Sequence, residues 1–245
     1  ILTGLLLVLI GGWGSLSARN VGSNYARQVN TLIGTKGVGL TSGYLYPGAT
    51  YPYGMVQFTP SYFSKRSGFV INQLSGGGCE HMGNFPTFPV KGKLKMSPDN
   101  ILNYRINISE EKGHAGYYEA KVQEDIHAKL TVTERTGMAS YEYPADQQYG
   151  TVIIGGGISA TPIDQAAIVI TAPNKCEGYA EGGNFCGLRT PYKVYFVAEF
   201  DTDALESGTW KRDELKPNTT FAEGEYSGVY FTFDVNKKKN IQYKI

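Results

Sequence analysis

Strict alternation of apolar and polar residues is the main pattern in the second half of this chain. Within residues 126–135, Ile126, Ala128, Leu130 and Val132 would face one side, with polar residues between them. That period of two is typical of a half-buried antiparallel strand. Further strands are predicted at residues 101–108, 116–123, 137–143, 151–154, 166–172, 191–200 and 229–235. Many short strands separated by turns predict an all-β chain folded as an antiparallel β-sandwich.

The strands at residues 116–123 and 126–135 are predicted to pair as a hairpin. Glu124 and Asp125 stand where a two-residue turn would fall, although the glycine that such turns favour is missing.

The first 18 residues have the pattern of a partial signal peptide. Residues 1–10 are almost wholly apolar, and small residues up to Ala18 precede Arg19. The apolar run is too short for a confident bilayer span, so no stable membrane span is expected after cleavage. An alternative is a buried N-terminal strand. The signal peptide predicts a secreted, periplasmic or cell-surface protein, with the sandwich over residues 19–245 and truncated at its C-terminal end.

Composition and charge narrow the class of protein. The 245 residues carry 23 Lys and Arg against 22 Asp and Glu, a net charge of +1. A balanced charge with scattered basic residues predicts no nucleic-acid partner. The 18 Tyr and 31 Gly favour strands and tight turns.

The three cysteines allow at most one disulfide. Cys176 and Cys186 are ten positions apart with three glycines between them, so a loop-closing bridge between them is predicted as an option. Cys79 would then stay unpaired. No CxxC or HxxxH spacing occurs, so no metal site is predicted.

Residues 68–90 are the strongest candidate for a binding site. This stretch combines a run of glycines with polar side chains and the aromatic residues Phe85 and Phe88. Glycines let a ligand approach the backbone, amides bind hydroxyls, and aromatic faces cover the C–H surface of a sugar. The alternative is a tight structural turn. No GxSxG or phosphate-binding glycine loop occurs, and acidic residues at strand ends are usually solvated, so no catalytic residue is predicted.

The order of short motifs along the chain resembles the N-terminal domain of glycoside hydrolase family 92, the calcium-dependent exo-α-mannosidases. The matching blocks are residues 29–35 (VNTLIGT), 46–57 (YPGATYPYGMVQ), 74–79 (LSGGGC), 83–86 (GNFP), 115–118 (AGYY), 130–137 (LTVTERTG), 183–187 (GNFCG), 192–200 (YKVYFVAEF) and 208–210 (GTW).

The resemblance implies a two-domain parent enzyme that hydrolyses α-mannosides of glycans, including N-glycans, with inversion. An N-terminal sandwich would pack on a C-terminal helical toroid domain that carries the acid, the base and the calcium ligands. This chain would therefore contain no catalytic residue and no calcium ligand, and it would be inactive alone. It would also leave an exposed apolar patch where the helical domain packs. The alternative is a free-standing carbohydrate-binding or adhesive β-sandwich without catalysis.

By position in the family, the glycine-rich stretch would form one wall of the mannose pocket. The predicted substrate-binding residues are Gly76, Gly77, Gly78, Cys79, Glu80, His81 and Asn84. Cys79 stands where some α-1,2-specific members carry Trp, which argues against that specificity because an aromatic platform is replaced by a small side chain. A buried small residue is the alternative role for Cys79.

Overall fold

The computed structural model describes residues 25–35, 45–61, 68–74, 76, 79, 81–99 and 107–245. The predicted signal peptide at residues 1–18 and most of the predicted strand at residues 101–108 lie outside this part of the chain. The described residues form a short 3-10 helix, Tyr25–Gln28, and seventeen strands.

The strands are numbered in chain order. They are β1 (Ala49–Thr50), β2 (Gln57–Pro60), β3 (Phe69–Val70), β4 (Thr87–Lys91), β5 (Ile108–His114), β6 (Tyr117–Val122), β7 (Ile126–Val132), β8 (Gly137–Glu142), β9 (Tyr149–Gly155), β10 (Ile163–Ala172), β11 (Lys175–Phe185), β12 (Leu188–Phe200), β13 (Glu206–Lys211), β14 (Glu214–Pro217), β15 (Phe221–Glu223), β16 (Ser227–Asp234) and β17 (Asn240–Lys244).

These strands pair into two antiparallel sheets. One has eight strands in the order β1-β2-β3-β4-β9-β16-β13-β14, and the other has nine in the order β15-β10-β11-β12-β17-β8-β7-β6-β5. The all-β sandwich predicted from the sequence is confirmed. Strand β7 shows why the prediction works, since its side chains are alternately buried and exposed from Ile126 to Val132.

The core lies between the two sheets and is rich in aromatic rings. Phe200, at the end of β12, contacts Phe231 and Phe233 of the facing sheet, with ring centroids 4.9 and 5.1 Å apart. All three side chains are almost completely buried. Aromatic side chains contribute large buried apolar areas, so these contacts hold the sheets together.

Three hydroxyl groups join the sheets inside this core. The Tyr243 hydroxyl donates to Thr87 Oγ1 at 2.6 Å, and the Tyr141 hydroxyl lies 3.1 Å from Thr87 Oγ1 and 3.0 Å from the Tyr243 hydroxyl. Thr87 belongs to the eight-stranded sheet, and both tyrosines belong to the nine-stranded sheet. Because each buried hydroxyl has a partner, the cluster avoids the cost of unpaired polar groups and fixes the relative position of the sheets.

The turn between β6 and β7 differs from the prediction. Val122 pairs directly with Ile126, so three residues form the loop instead of two. Gln123 and Glu124 both adopt positive φ angles, 49° and 77°. The predicted two-residue turn is therefore wrong, because Gln123 leaves the strand and joins Glu124 in the left-handed region.

The hydroxyl cluster predicts a loss of stability at alkaline pH. Burial raises the pKa of Tyr141 and of Tyr243 above the ordinary value of 10.0. The folded chain therefore keeps these phenols protonated while the unfolded chain ionises above about pH 10. The stabilisation is complete below pH 10, and it is lost as the pH rises further, at about 1.4 kcal/mol per pH unit per tyrosine.

Urea unfolding between pH 8 and pH 11 measures this slope. Tyr141→Phe should make it shallower, and Tyr195→Phe, which removes an exposed hydroxyl outside the cluster, controls for the loss of a tyrosine. An identical slope in Tyr141→Phe would contradict this account of the cluster.

Candidate functional site

The glycine-rich segment, defined as residues 72–84, connects β3 to β4. Its two ends are joined by paired amides, since Asn84 N donates to Asn72 Oδ1 at 2.8 Å and Asn72 Nδ2 donates to Asn84 Oδ1 at 3.1 Å. An isolated antiparallel bridge between Gln73 and Met82 adds a second connection. The segment therefore leaves and re-enters the sheet at nearly the same place.

His81 is held firmly on the inner side of this segment. Its Nδ1 lies 3.1 Å from the carbonyl oxygen of Asn184, and because a carbonyl can only accept, Nδ1 carries the proton. The ring packs against Phe185 and Tyr192, with centroids 5.0 and 5.7 Å away. Nε2 makes no hydrogen bond with the described part of the chain.

Asn84 is completely buried and joins the segment to β12. Its Oδ1 accepts a hydrogen bond from the Tyr192 hydroxyl at 3.0 Å as well as the one from Asn72. Burial raises the pKa of Tyr192, so this hydroxyl keeps its proton and stays a donor. Asn84 is thereby fixed from two directions.

Several buried amide atoms at this site have no partner among the described residues. They are Nδ2 of Asn84 and both Nε2 and Oε1 of Gln73. A buried polar group without a hydrogen bond costs about 1–3 kcal/mol, so these three atoms lower the local stability of the segment. Gln73 and Tyr192 were missed by the sequence reasoning. Gln73 lies just before the LSGGGC block, and Tyr192 begins the YKVYFVAEF block, but neither residue was given a role at the site.

The disulfide differs from the one predicted. Cys79 bonds to Cys186, with Cα atoms 5.5 Å apart and 107 positions between them in sequence, and Cys176 is a free, buried thiol. The predicted Cys176–Cys186 bridge is wrong because the intervening residues form strand β11 and not a loop. Ten residues of strand span about 33 Å, far beyond the reach of a disulfide.

The structure places the predicted site residues as follows. His81 and Asn84 are buried, Cys79 is half-buried in the disulfide, and Gly76 is exposed with a φ of 73°. A Cβ added at Gly76 would lie 3.9 Å from Leu45 Cδ2 and would meet no other atom of the described residues within 4 Å. Gly77, Gly78 and Glu80 lie outside the described residues.

Clusters of metal ligands and membrane-spanning helices are both absent from the described residues. In the described ranges no three His, Cys, Asp or Glu side chains are grouped so that they could hold a metal ion. No helix within those ranges is long and apolar enough to cross a membrane.

Comparison with known families decides the identity of the fold. Residues 28–245 match the model of the glycosyl hydrolase family 92 N-terminal domain. The chain belongs to this family. The resemblance read from the motif order is therefore confirmed.

A curated relative and several solved structures are similar to this family 92 domain. An uncharacterized secreted glycosidase of Arthroderma benhamiae is 32% identical over 138 residues, which are 48% of this chain and 17% of the relative. The family GH92 alpha-mannosidase BT3965 from Bacteroides thetaiotaomicron aligns with a TM-score of 0.76 at 22% identity, over 89% of this chain and 33% of that one. It has also been solved in complex with mannoimidazole.

A second structure from the same organism shows the same fold. The inverting mannosidase BT2199 aligns with a TM-score of 0.72 at 23% identity, over 90% of this chain and 31% of that one. This family 92 domain thus spans about a third of the length of these solved relatives and 17% of the curated one.

A separate groove lies on the outer face of the nine-stranded sheet, across β15, β10, β11 and β12. Its volume is about 370 Å³, and aromatic and aliphatic side chains dominate its lining. Tyr195 and Phe221 are 68% and 55% exposed there. Lys193 Nζ lies 4.2 Å from the ring centroid of Tyr179 and pairs with Glu181, so charged groups border the apolar surface.

The disulfide assignment predicts a specific thiol pattern. Under denaturing but non-reducing conditions, Cys176 should be the cysteine that iodoacetamide labels, and a digest should contain the Cys79 peptide linked to the Cys186 peptide. In the native state Cys176 should stay unlabelled, because burial raises the pKa of its thiol and excludes the reagent. Mass spectrometry of the peptides provides the measurement. Labelled Cys79 in the unreduced protein would contradict the assignment.

Proposed function

We propose that this chain is the N-terminal substrate-wall domain of a secreted, inverting exo-α-mannosidase that acts on mannose-containing glycans. The observation that carries the proposal is the family 92 match over residues 28–245. The solved relatives that share the fold are described as mannosidases, one of them as inverting, and the curated relative as a secreted glycosidase. The glycine-rich segment would supply the wall of the mannose pocket.

The chemistry of the segment suits a sugar. Nε2 of His81 can accept a hydrogen bond from a hydroxyl, and Asn84, which is completely buried, would hold the wall in place behind it. The open backbone at Gly76 would allow a ring to approach closely. Gly77, Gly78, Cys79 and Glu80 would complete this wall, as the resemblance implies.

The acid and the base of the reaction would lie on a C-terminal helical domain outside this chain. Inversion needs two carboxyl groups about 6.5–9.5 Å apart, one of them an acid with a raised pKa. In the described part of the chain, hydrogen bonds from Lys121, Tyr117 and Arg189 lower the pKa values of their partner carboxyls. These carboxylates are therefore suited to ion pairs and not to general-acid catalysis.

Calcium would be held by the same absent domain. The described residues offer no group of three His, Cys, Asp or Glu that fits such an ion. A calcium ion bound there would supply positive charge close to the sugar hydroxyls.

Exposed apolar side chains near the glycine-rich segment would form the contact with the helical domain. Leu45, which borders Gly76, begins a stretch in which Tyr51, Tyr53 and Met55 are 49%, 105% and 71% exposed. Exposed apolar groups of this size are commonly covered by another protein surface. They would contribute to the exposed apolar patch expected from the sequence.

The proposal predicts a division of activity. The full-length protein with calcium should hydrolyse an aryl α-mannoside and release the β-anomer of mannose first, whereas residues 1–245 alone should show no turnover. In the full-length protein, His81→Ala should raise KM about tenfold, the effect of losing one hydrogen bond of about 1.4 kcal/mol. Colorimetric release of the aglycone and NMR of the released sugar measure both effects.

The matched control is His127→Ala, which removes an exposed histidine from β7 and should leave KM unchanged. Turnover by residues 1–245 alone, or an equal rise of KM in both histidine variants, would argue against a substrate-wall role.

The outer groove favours a second candidate function, a carbohydrate-binding or adhesive β-sandwich without catalysis. Exposed aromatic faces bordered by charged groups are suited to sugar rings, since the faces cover C–H surfaces and the charged groups bind hydroxyls.

Affinity electrophoresis of residues 1–245 in a mannan-containing gel separates the two functions. If the groove binds glycans, Tyr195→Ala and Phe221→Ala should each weaken retention about tenfold, because each removes an aromatic contact of about 1–1.5 kcal/mol. Tyr25→Ala, which removes an exposed tyrosine far from these strands in sequence, serves as the control. Retention that persists in both groove variants but falls in His81→Ala would reject the groove and favour the substrate-wall role.

A further inference from the structure

The turn between β11 and β12 contains a cysteine where turn chemistry does not favour one. Phe185 pairs with Leu188, so Cys186 and Gly187 form a two-residue turn, and both have positive φ angles, 50° and 81°. Such turns favour Asn, Asp or Gly at the first central position, because other side chains are strained there. The conformation of the turn does not favour a cysteine at this position. The disulfide to Cys79 explains why one is present.

The tip of this hairpin, residues 184–192, meets the glycine-rich segment at further points. The Asn184 carbonyl binds His81 Nδ1, the Phe185 ring packs on the His81 ring, and the Tyr192 hydroxyl donates to Asn84. The hairpin tip thus contacts His81 and Asn84, the two buried polar side chains that the proposed function places in the wall of the sugar pocket.

The hairpin tip is itself anchored to the sheet. Arg189 forms two hydrogen bonds to the carboxylate of Asp164 in β10, at 2.7 and 3.2 Å. Beyond the turn, β12 pairs with β11, whereas its pairing with β17 is confined to Glu199 and Phe200. The tip therefore extends past the last pairing with β17 and can act on the segment without rearranging the core.

Among the described residues, the segment has few restraints of its own between its joined ends. A Cβ added at Gly76 would meet one atom, Leu45 Cδ2, of the described residues within 4 Å. Cys79 belongs to no strand and is connected to the rest of the fold through its disulfide. A tether between positions so distant in sequence restricts the segment more than any local turn could.

We infer that residues 184–192 are a positioning element for the proposed sugar site, with Cys186, Phe185 and Tyr192 holding His81 and Asn84 in place through the glycine-rich segment. The identity of the ligand in this inference rests on the proposed function. The restraint of the glycine-rich segment by the hairpin tip does not. None of the three residues needs to touch the sugar. They hold the segment in one conformation, so that less conformational entropy is lost when a sugar binds.

The test uses the full-length protein and the double variant Cys79→Ser, Cys186→Ser. Hydrogen–deuterium exchange of amides in residues 72–84 should become at least about tenfold faster, while exchange in β7 and β16 stays unchanged. KM for an aryl α-mannoside should rise roughly tenfold with kcat within about twofold, since binding geometry is lost and the proton-transfer groups are untouched. Cys176→Ala, which removes a cysteine but keeps the disulfide, should behave as the wild type in both measurements.

Tyr192→Phe keeps the disulfide and removes the hydroxyl that bonds to Asn84 and also interacts with Ser159, so it tests the element even if the double variant does not fold. It should raise KM by a smaller factor than the double variant, and exchange should rise at Asn84 and its neighbours. Unchanged exchange of residues 72–84 in both variants would overturn the restraint. Faster exchange with unchanged KM would overturn the positioning role. A wild-type protein without mannosidase activity would reject the proposed function and the sugar part of this inference, while the exchange data would still decide whether the restraint exists.

Discussion

The packing of the two sheets through a small buried hydroxyl cluster is the constraint on which the rest of the structure depends. Thr87, Tyr141 and Tyr243 connect the first residue of β4 to strands of the opposite sheet. Thr87 comes three residues after Asn84, so the glycine-rich segment is attached directly to this cluster. The Phe85 ring, 4.2 Å from that of Phe196 in β12, adds an apolar contact between the same regions. The core therefore sets where the segment begins and ends.

The candidate site is assembled from two parts of the chain that are far apart in sequence. The glycine-rich segment contributes His81 and Asn84, and the tip of the β11–β12 hairpin contributes the partners that orient them. Burial keeps these hydrogen bonds away from competing water, which makes them strong and makes unpaired amides costly. Such a wall would be held in place before a ligand arrives, which is what the proposed substrate-wall role requires.

The distribution of charge agrees with a domain that holds a ligand and does not carry the acid or the base. The carboxyl groups whose pKa is shifted are exposed or half-buried and paired with cations or a phenol, and the shifts are downward. The strongly raised pKa values belong to buried tyrosines and to Cys176, which stabilise the sandwich as neutral groups. In the described residues, the chemistry of this domain is therefore that of hydrogen bonding and packing.

The sequence by itself determined several of the strands, the sandwich and the family. Alternation over residues 126–132 predicts β7 correctly because burial of one face of a strand is a local property with a period of two. The family follows from short motifs in order, which also need no long-range geometry. Only the tertiary structure decided the disulfide, the partners of His81 and the role of Tyr192. Residues 175–185 are rich in glycine and were interpreted as a loop, yet pairing with β10 and β12 makes them a strand. That strand carries Cys186 away from Cys176 and brings it to Cys79, because strand pairing, and not local sequence, sets which distant residues meet.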